Sequence, residues 1–283
     1  MSGAREATLA ADWLGASRRA AEALRAILAD APTTAERVRE TGDRGEGGDR
    51  TLVIDADAEE AVFVELRRLH DEGARFTAVS EERGSVDFGA PDVLVVIDPI
   101  DGSLNAKRGM PHHSISIAVA DGPSMADVVF GFVHDFGPEE EWTARRGEGA
   151  FLDGVRLDPS LGERRTDDGR LELLGIESSD PRHVRDAADG LAATAHRLRA
   201  IGSVAVTACQ VAAARLDAMV TLKRTRAVDA AAAQLVVREA GGHVTFPACA
   251  TPLGAPLDLA PHSPLVAARA ASSLVPLARL PRG

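Results

Sequence analysis

The run Asp98-Pro99-Ile100-Asp101-Gly102-Ser103 sets two carboxylates three residues apart on a turn, with Pro99 fixing φ between them. Two carboxylates so placed can converge on a hard cation. Gly102 permits close approach of the backbone to a ligand, and Ser103 suits the N-cap of a following helix. A helix N-terminus beside metal ions is a natural place for phosphate. An EF-hand is excluded, because its acids fall at loop positions 1, 3 and 5 with Gly at 6. Other acids sit at comparable junctions. Glu81-Glu82 closes a short strand, Asp55 follows Leu-Val-Ile and can cap a helix, and Asp229 opens the helical run VDAAAAQLVVREAGG. Taken singly, each reads as a solvated pair or an ordinary acidic cap. Gathered, they supply the carboxylates that multi-metal phosphate chemistry requires.

The elements that must position these acids follow from hydrophobic spacing. Residues 6–30 carry Leu9, Trp13, Leu14, Leu24, Ile27 and Leu28 at helical intervals, and a helix from about Asp55 to His70 carries Ala58, Val62, Leu66 and Leu69 on one stripe. Between them, TGDRGEGGDR at 41–50 reads as a Gly-rich, charged, mobile loop. Residues 76–80 form a strand ahead of Glu81, and the apolar run at 93–97 predicts a strand buried on both faces, ending at Asp98. Strands at 114–120 and 128–133 follow, then a short strand among the turns of 145–154. The polar segment 160–170 is the expected boundary between an N-terminal α+β half, residues 1–160, and a C-terminal α/β half, residues 161–283. The second half alternates a strand at 171–177, a helix near 181–195, a loop to Gly202, a helix at about 203–215, a strand at 218–222 and a helix at 229–240 capped by Gly241-Gly242.

Composition narrows the function classes. The chain has 283 residues, 45% hydrophobic, with 32 basic against 43 acidic side chains and a formal charge of −11. Such a surface repels phosphate backbones, and with 4% aromatics and no Tyr there is little to stack on bases, so nucleic-acid binding is disfavoured. Cys209 and Cys249 form neither a disulfide framework nor a CxxC site, which fits a reducing cytoplasm. The N-terminal MSGAREATLAADW has no secretory h-region, and no run of about 18 apolar residues predicts a membrane span.

Together, Glu81-Glu82 after a strand, DPIDGSLN at 98–105 and VDAAAAQLVVREAGG at 228–242 resemble the signatures of the inositol monophosphatase family. That family lies within the lithium-sensitive sugar-phosphatase superfamily, which includes fructose-1,6-bisphosphatase. GAFLDG at 149–154, GSVAV at 202–206 and PLDL at 256–259 support the likeness, which covers about residues 35–270. The resemblance implies an α+β/α/β fold, a layered αβαβα sandwich, and a homodimer. It implies two or three Mg²⁺, for which Mn²⁺ can substitute, held by Glu81, Asp98, the Ile100 carbonyl, Asp101 and Asp229, with Asp49 near a weaker third metal. Asp55 and Ser103, beside Glu81, would prepare a metal-activated water for direct attack on phosphorus, and millimolar Li⁺ would inhibit. The Gly102 and Ser103 amides would hold the phosphate, with Asp101, Val204 and Asp229 completing the substrate site.

The substrate side departs from many family members. Where an acidic residue often precedes the last helix, this chain has Lys223-Arg224-Thr225-Arg226. With NAKRGMPHHSISIAVA and RAIGSVAV, this looks more like the archaeal-type subgroup that has both inositol monophosphatase and fructose bisphosphatase activity. Lys223, Arg226 and Arg199 are therefore candidates for a second phosphate on the substrate, against the plainer reading of a solvated basic surface. His112-His113 belongs to no matching catalytic motif. Alternatives are a phosphatase for 3′-phosphoadenosine 5′-phosphate or histidinol phosphate, or a regulatory binding protein on the same fold.

Overall fold

A computed structural model describes residues 2–44, 50–178 and 180–280. The Leu94–Asp101 strand lies inside an eight-stranded sheet built from residues 77–156. It pairs in parallel with Thr77–Ser80 and antiparallel with Ser114–Ala120. From Val95 onward every residue of this strand is buried, as a continuous apolar run requires when both sheet faces are covered. The strand does not end at Asp98. It runs on to Asp101 with a register irregularity between the two aspartates, which re-aims both carboxylates at the sheet's end.

Helices Trp13–Asp30 and Val53–Asp71 cover one face, burying Trp13, Leu24, Phe63 and Leu66 against Val95, Ile97, Ile117 and Phe132. The expected single helix over 6–30 is two, Ser2–Leu9 and Trp13–Asp30, with Asp12 capping the second through the Gly15 amide at 2.9 Å. The other face receives Val204–Ala212 and Ala227–Glu239. Ala227–Glu239 is apolar on nearly every side because it lies between two sheets. Its four consecutive alanines, Ala230–Ala233, allow close approach: a Cβ on Gly131 would lie 2.6 Å from the Ala232 carbonyl oxygen.

The second sheet has five strands, in the order Ala195–Arg199, Leu171–Glu177, Ala218–Thr221, Val266–Ala268, His243–Thr245. Its far face packs against Leu191 and Leu277 from the outer helices and Leu280 just beyond the last of them. Helix, sheet, helix, sheet and helix layers follow one another, the expected αβαβα sandwich. The two sheets fall on either side of residues 160–170, and one hydrophobic core joins them through the central helices. Among the described residues no helix is long and apolar enough to cross a membrane.

Candidate active site

The carboxylates meet where the Leu94–Asp101 and Thr77–Ser80 strands end and the Ala227–Glu239 helix begins. Asp98, Asp101 and Asp229 each offer an oxygen, and the three oxygens lie within 4.8 Å of one another. A cleft beside them is lined by Asp55, Glu81, Glu82, Asp98, Pro99, Ile100, Ser103 and Lys107. Asp49 lies outside the described residues.

Each acid is held differently. Asp98, almost fully buried, accepts the Ile100 amide at 3.0 Å. Burial, then the charges of Glu81, Asp101 and Asp229, push its pKa well above the carboxylate range. Asp101 reaches the first turn of Val204–Ala212. There it accepts the Ser203 hydroxyl, the Ala205 amide at 2.7 Å and the Val204 amide at 3.3 Å. Burial and the Asp229 charge raise Asp101 to about 7, against the downward pull of Ser203 and Ala205. Glu177 sets the preceding turn by accepting the Ile201 amide at 2.9 Å and the Thr207 hydroxyl at 2.7 Å. Asp229 accepts the Thr225 hydroxyl at 3.0 Å and the Arg226 amide at 3.2 Å.

Three local expectations change. Asp55 is not the N-cap of its helix, which begins at Val53, whose amide donates to the Arg39 carbonyl at 2.9 Å; Asp55 falls in the first turn. Ser103 is the first helical residue of Ser103–Arg108, and the cap is Gly102 at φ 83°. A Cβ on Gly102 would lie 3.0 Å from the carbonyl oxygens of both Gly202 and His112, so the left-handed turn and its packing both require glycine. Asp229 is the third helical residue, and Arg226 is the cap.

Arg226 is the largest departure from the sequence-based picture. Its guanidinium enters the carboxylate cluster, donating to Glu81 Oε1 at 2.7 Å and Asp229 Oδ1 at 3.2 Å. Burial opposes its charge, but Asp229 and Glu81 outweigh that and raise its pKa. Burial likewise raises Glu81, with Arg226 pulling the other way. Lys223 and Arg224 are exposed, and Arg199, also exposed, donates to the Leu198 carbonyl at 2.8 Å. Lys107 was not singled out from sequence. Its Nζ stands 3.7 Å from Asp55 Oδ2 in the cleft. The available signal was helical spacing, since Lys107 is four residues beyond Ser103 and so on the same face.

The donor set suits a hard divalent cation: carboxylate oxygens converge, and two of the acids, Asp98 and Asp101, have pKa values raised by burial and then by the charges of their acidic neighbours.

The profile of the inositol monophosphatase family matches residues 10–279. This chain belongs to that family. Among relatives of the family's archaeal kind, the fructose-1,6-bisphosphatase/inositol-1-monophosphatase of Methanothermobacter thermautotrophicus is 34% identical over 245 residues, 82% of this chain and 84% of that protein. The protein of the same description from Thermococcus kodakarensis is 36% identical over 202 residues, 70% of each chain. The Nus factor SuhB of Escherichia coli is 33% identical over 196 residues, 68% of this chain and 70% of that protein. A solved inositol monophosphatase-fructose 1,6 bisphosphatase superposes with a TM-score of 0.76, covering 95% of this chain and 99% of its own at 23% identity, which establishes the shared fold. As an inositol monophosphatase family member, the chain is a metal-dependent phosphoric monoester hydrolase acting on sugar phosphates.

Proposed function

We propose that the chain hydrolyses inositol 1-phosphate and fructose 1,6-bisphosphate with Mg²⁺ as the working cation, Mn²⁺ able to replace it. The observation that carries this reading is the convergence of the Asp98, Asp101 and Asp229 oxygens beside a cleft that Asp98 lines together with Glu81, Asp55 and Ser103. Glu81, Asp98, the Ile100 carbonyl, Asp101 and Asp229 are the proposed metal ligands. Divalent cations bound there supply Lewis-acid charge to the phosphoryl group and make water more acidic. The chain's own part is positioning. The Ser103 hydroxyl and the Asp55 carboxylate orient the attacking water, Asp55 takes its proton, and Lys107 steadies Asp55. The Gly102 and Ser103 amides face the phosphate, with Val204 and Asp229 beside the sugar. Exposed Lys223 and Arg199 are proposed to meet a second anionic group.

The test is phosphate release from inositol 1-phosphate, fructose 1,6-bisphosphate, 3′-phosphoadenosine 5′-phosphate and histidinol phosphate, with Mg²⁺ and with chelator. Release from the first two that stops in chelator is expected. A preference for either of the others, or release that survives chelation, overturns the proposal. A lithium titration at fixed Mg²⁺ should inhibit at millimolar levels. The proposed assembly is a cytoplasmic homodimer, which sedimentation of the purified chain checks.

A further inference from the structure

Arg226 is fixed at its backbone end and engaged at its charged end. Its backbone caps the Ala227–Glu239 helix, which is clamped between both sheets, so the Arg226 side chain can move without the helix moving. Its guanidinium bridges Glu81, from the first half of the chain, and Asp229, from the second. Those contacts use Glu81 Oε1 and Asp229 Oδ1, while Asp229 Oδ2 accepts Thr225 and the Arg226 amide. Guanidinium stays charged at any working pH, so Arg226 meets an incoming metal ion at these oxygens as a cation.

We propose that Arg226 is a resident counter-ion that a divalent cation must displace from Glu81 and Asp229, so that metal binding is coupled to a swing of the Arg226 side chain. The inference rests on the reading of this cleft as the metal site. It follows from charge and geometry. A fork of donors on these two carboxylates keeps the metal-free cleft assembled, and the same donors weaken the metal's hold, because their hydrogen bonds are lost when the ion enters. Arg226 is a positioning residue in this account. It sets how tightly the ligands take up metal and how well they are held without it.

Mn²⁺ binding to the metal-free full chain, followed by the electron paramagnetic resonance of free Mn²⁺, separates the possibilities, with thermal melting as the second readout. Arg226→Gln should bind Mn²⁺ roughly tenfold tighter, the scale of a lost charge-assisted contact. Without metal it should melt below the wild-type chain, and its gain in melting temperature on adding Mn²⁺ should be the larger. Arg226→Lys keeps the charge but loses the fork, so it should stay folded without metal and show a smaller gain in affinity in the same direction. Unchanged or weaker Mn²⁺ binding in both variants, with a wild-type chain that binds, overturns the displacement. A wild-type chain that takes up no Mn²⁺ overturns instead the metal reading beneath it.

Discussion

Asp101 and the pair Glu81–Asp229 are all acids at one cleft, yet they are stabilised by different means. Asp101 is held by neutral donors, two amides of the Val204–Ala212 first turn and the Ser203 hydroxyl. Glu81 and Asp229 share a side-chain cation, Arg226. Asp98, between them, has the Ile100 amide and three neighbouring carboxylate charges. Backbone amides cannot be exchanged for another cation, so Asp101 is a permanent fixture, whereas a guanidinium can give way. The cleft thus combines a rigid side with an exchangeable one.

The largest test of this contrast is Asp98→Asn. Mg²⁺-dependent phosphate release should fall about 10³-fold, the scale of several kcal/mol of lost charge stabilisation. The metal-free variant should be at least as stable as wild type to denaturant, because a buried carboxylate among others has been neutralised. A variant that keeps activity, or loses stability without metal, breaks the account. Next comes Ser103→Ala on the rigid side, expected to lower kcat about 10²-fold with little change in melting temperature; a phosphoserine trapped at Ser103 during turnover would replace direct attack by water.

Ser203→Ala removes both the hydroxyl donated to Asp101 and the cap of the Val206 amide, found at 3.1 Å. Its cost should be about 1–2 kcal/mol, read as a shifted denaturation midpoint, and Mg²⁺ should not recover it fully. The smallest effect concerns pH. Asp98 and Asp101 have folded pKa values above the unfolded value, Asp101 at about 7. The folded chain therefore binds more protons than the unfolded one above about pH 4, and the stability this contributes without metal is lost as pH rises through about 7. The gain in melting temperature from Mg²⁺ should accordingly be greater at pH 8 than at pH 5. Equal gains would mean these acids do not carry the unbalanced charge.

Much of the architecture was legible because burial on both faces writes a continuous apolar run. The strands at 114–120 and 171–177 have the expected bounds, and Leu94–Asp101 overruns its expectation only because two aspartates continue its backbone pairing. The Ala195–Arg199 strand was not legible, since only Ala195 among its residues is buried. It is a strand because its backbone pairs with Leu171–Glu177 at the sheet edge, and no side-chain pattern encodes that.

For the site, the residues alone determined which acids stand at the ends of strands and starts of helices, since local spacing and turn chemistry are properties of a few neighbouring positions. Only the tertiary structure decided that Asp98, Asp101 and Asp229 share one point, that Ser203 and Ala205 hold Asp101 across about a hundred residues, and that Arg226 turns inward to Glu81 and not outward with Lys223. The reason is the range of the forces involved. Hydrophobic periodicity is set by adjacent turns of chain, whereas the partner of a buried charge is whichever opposite charge or amide the packing of distant elements brings within reach.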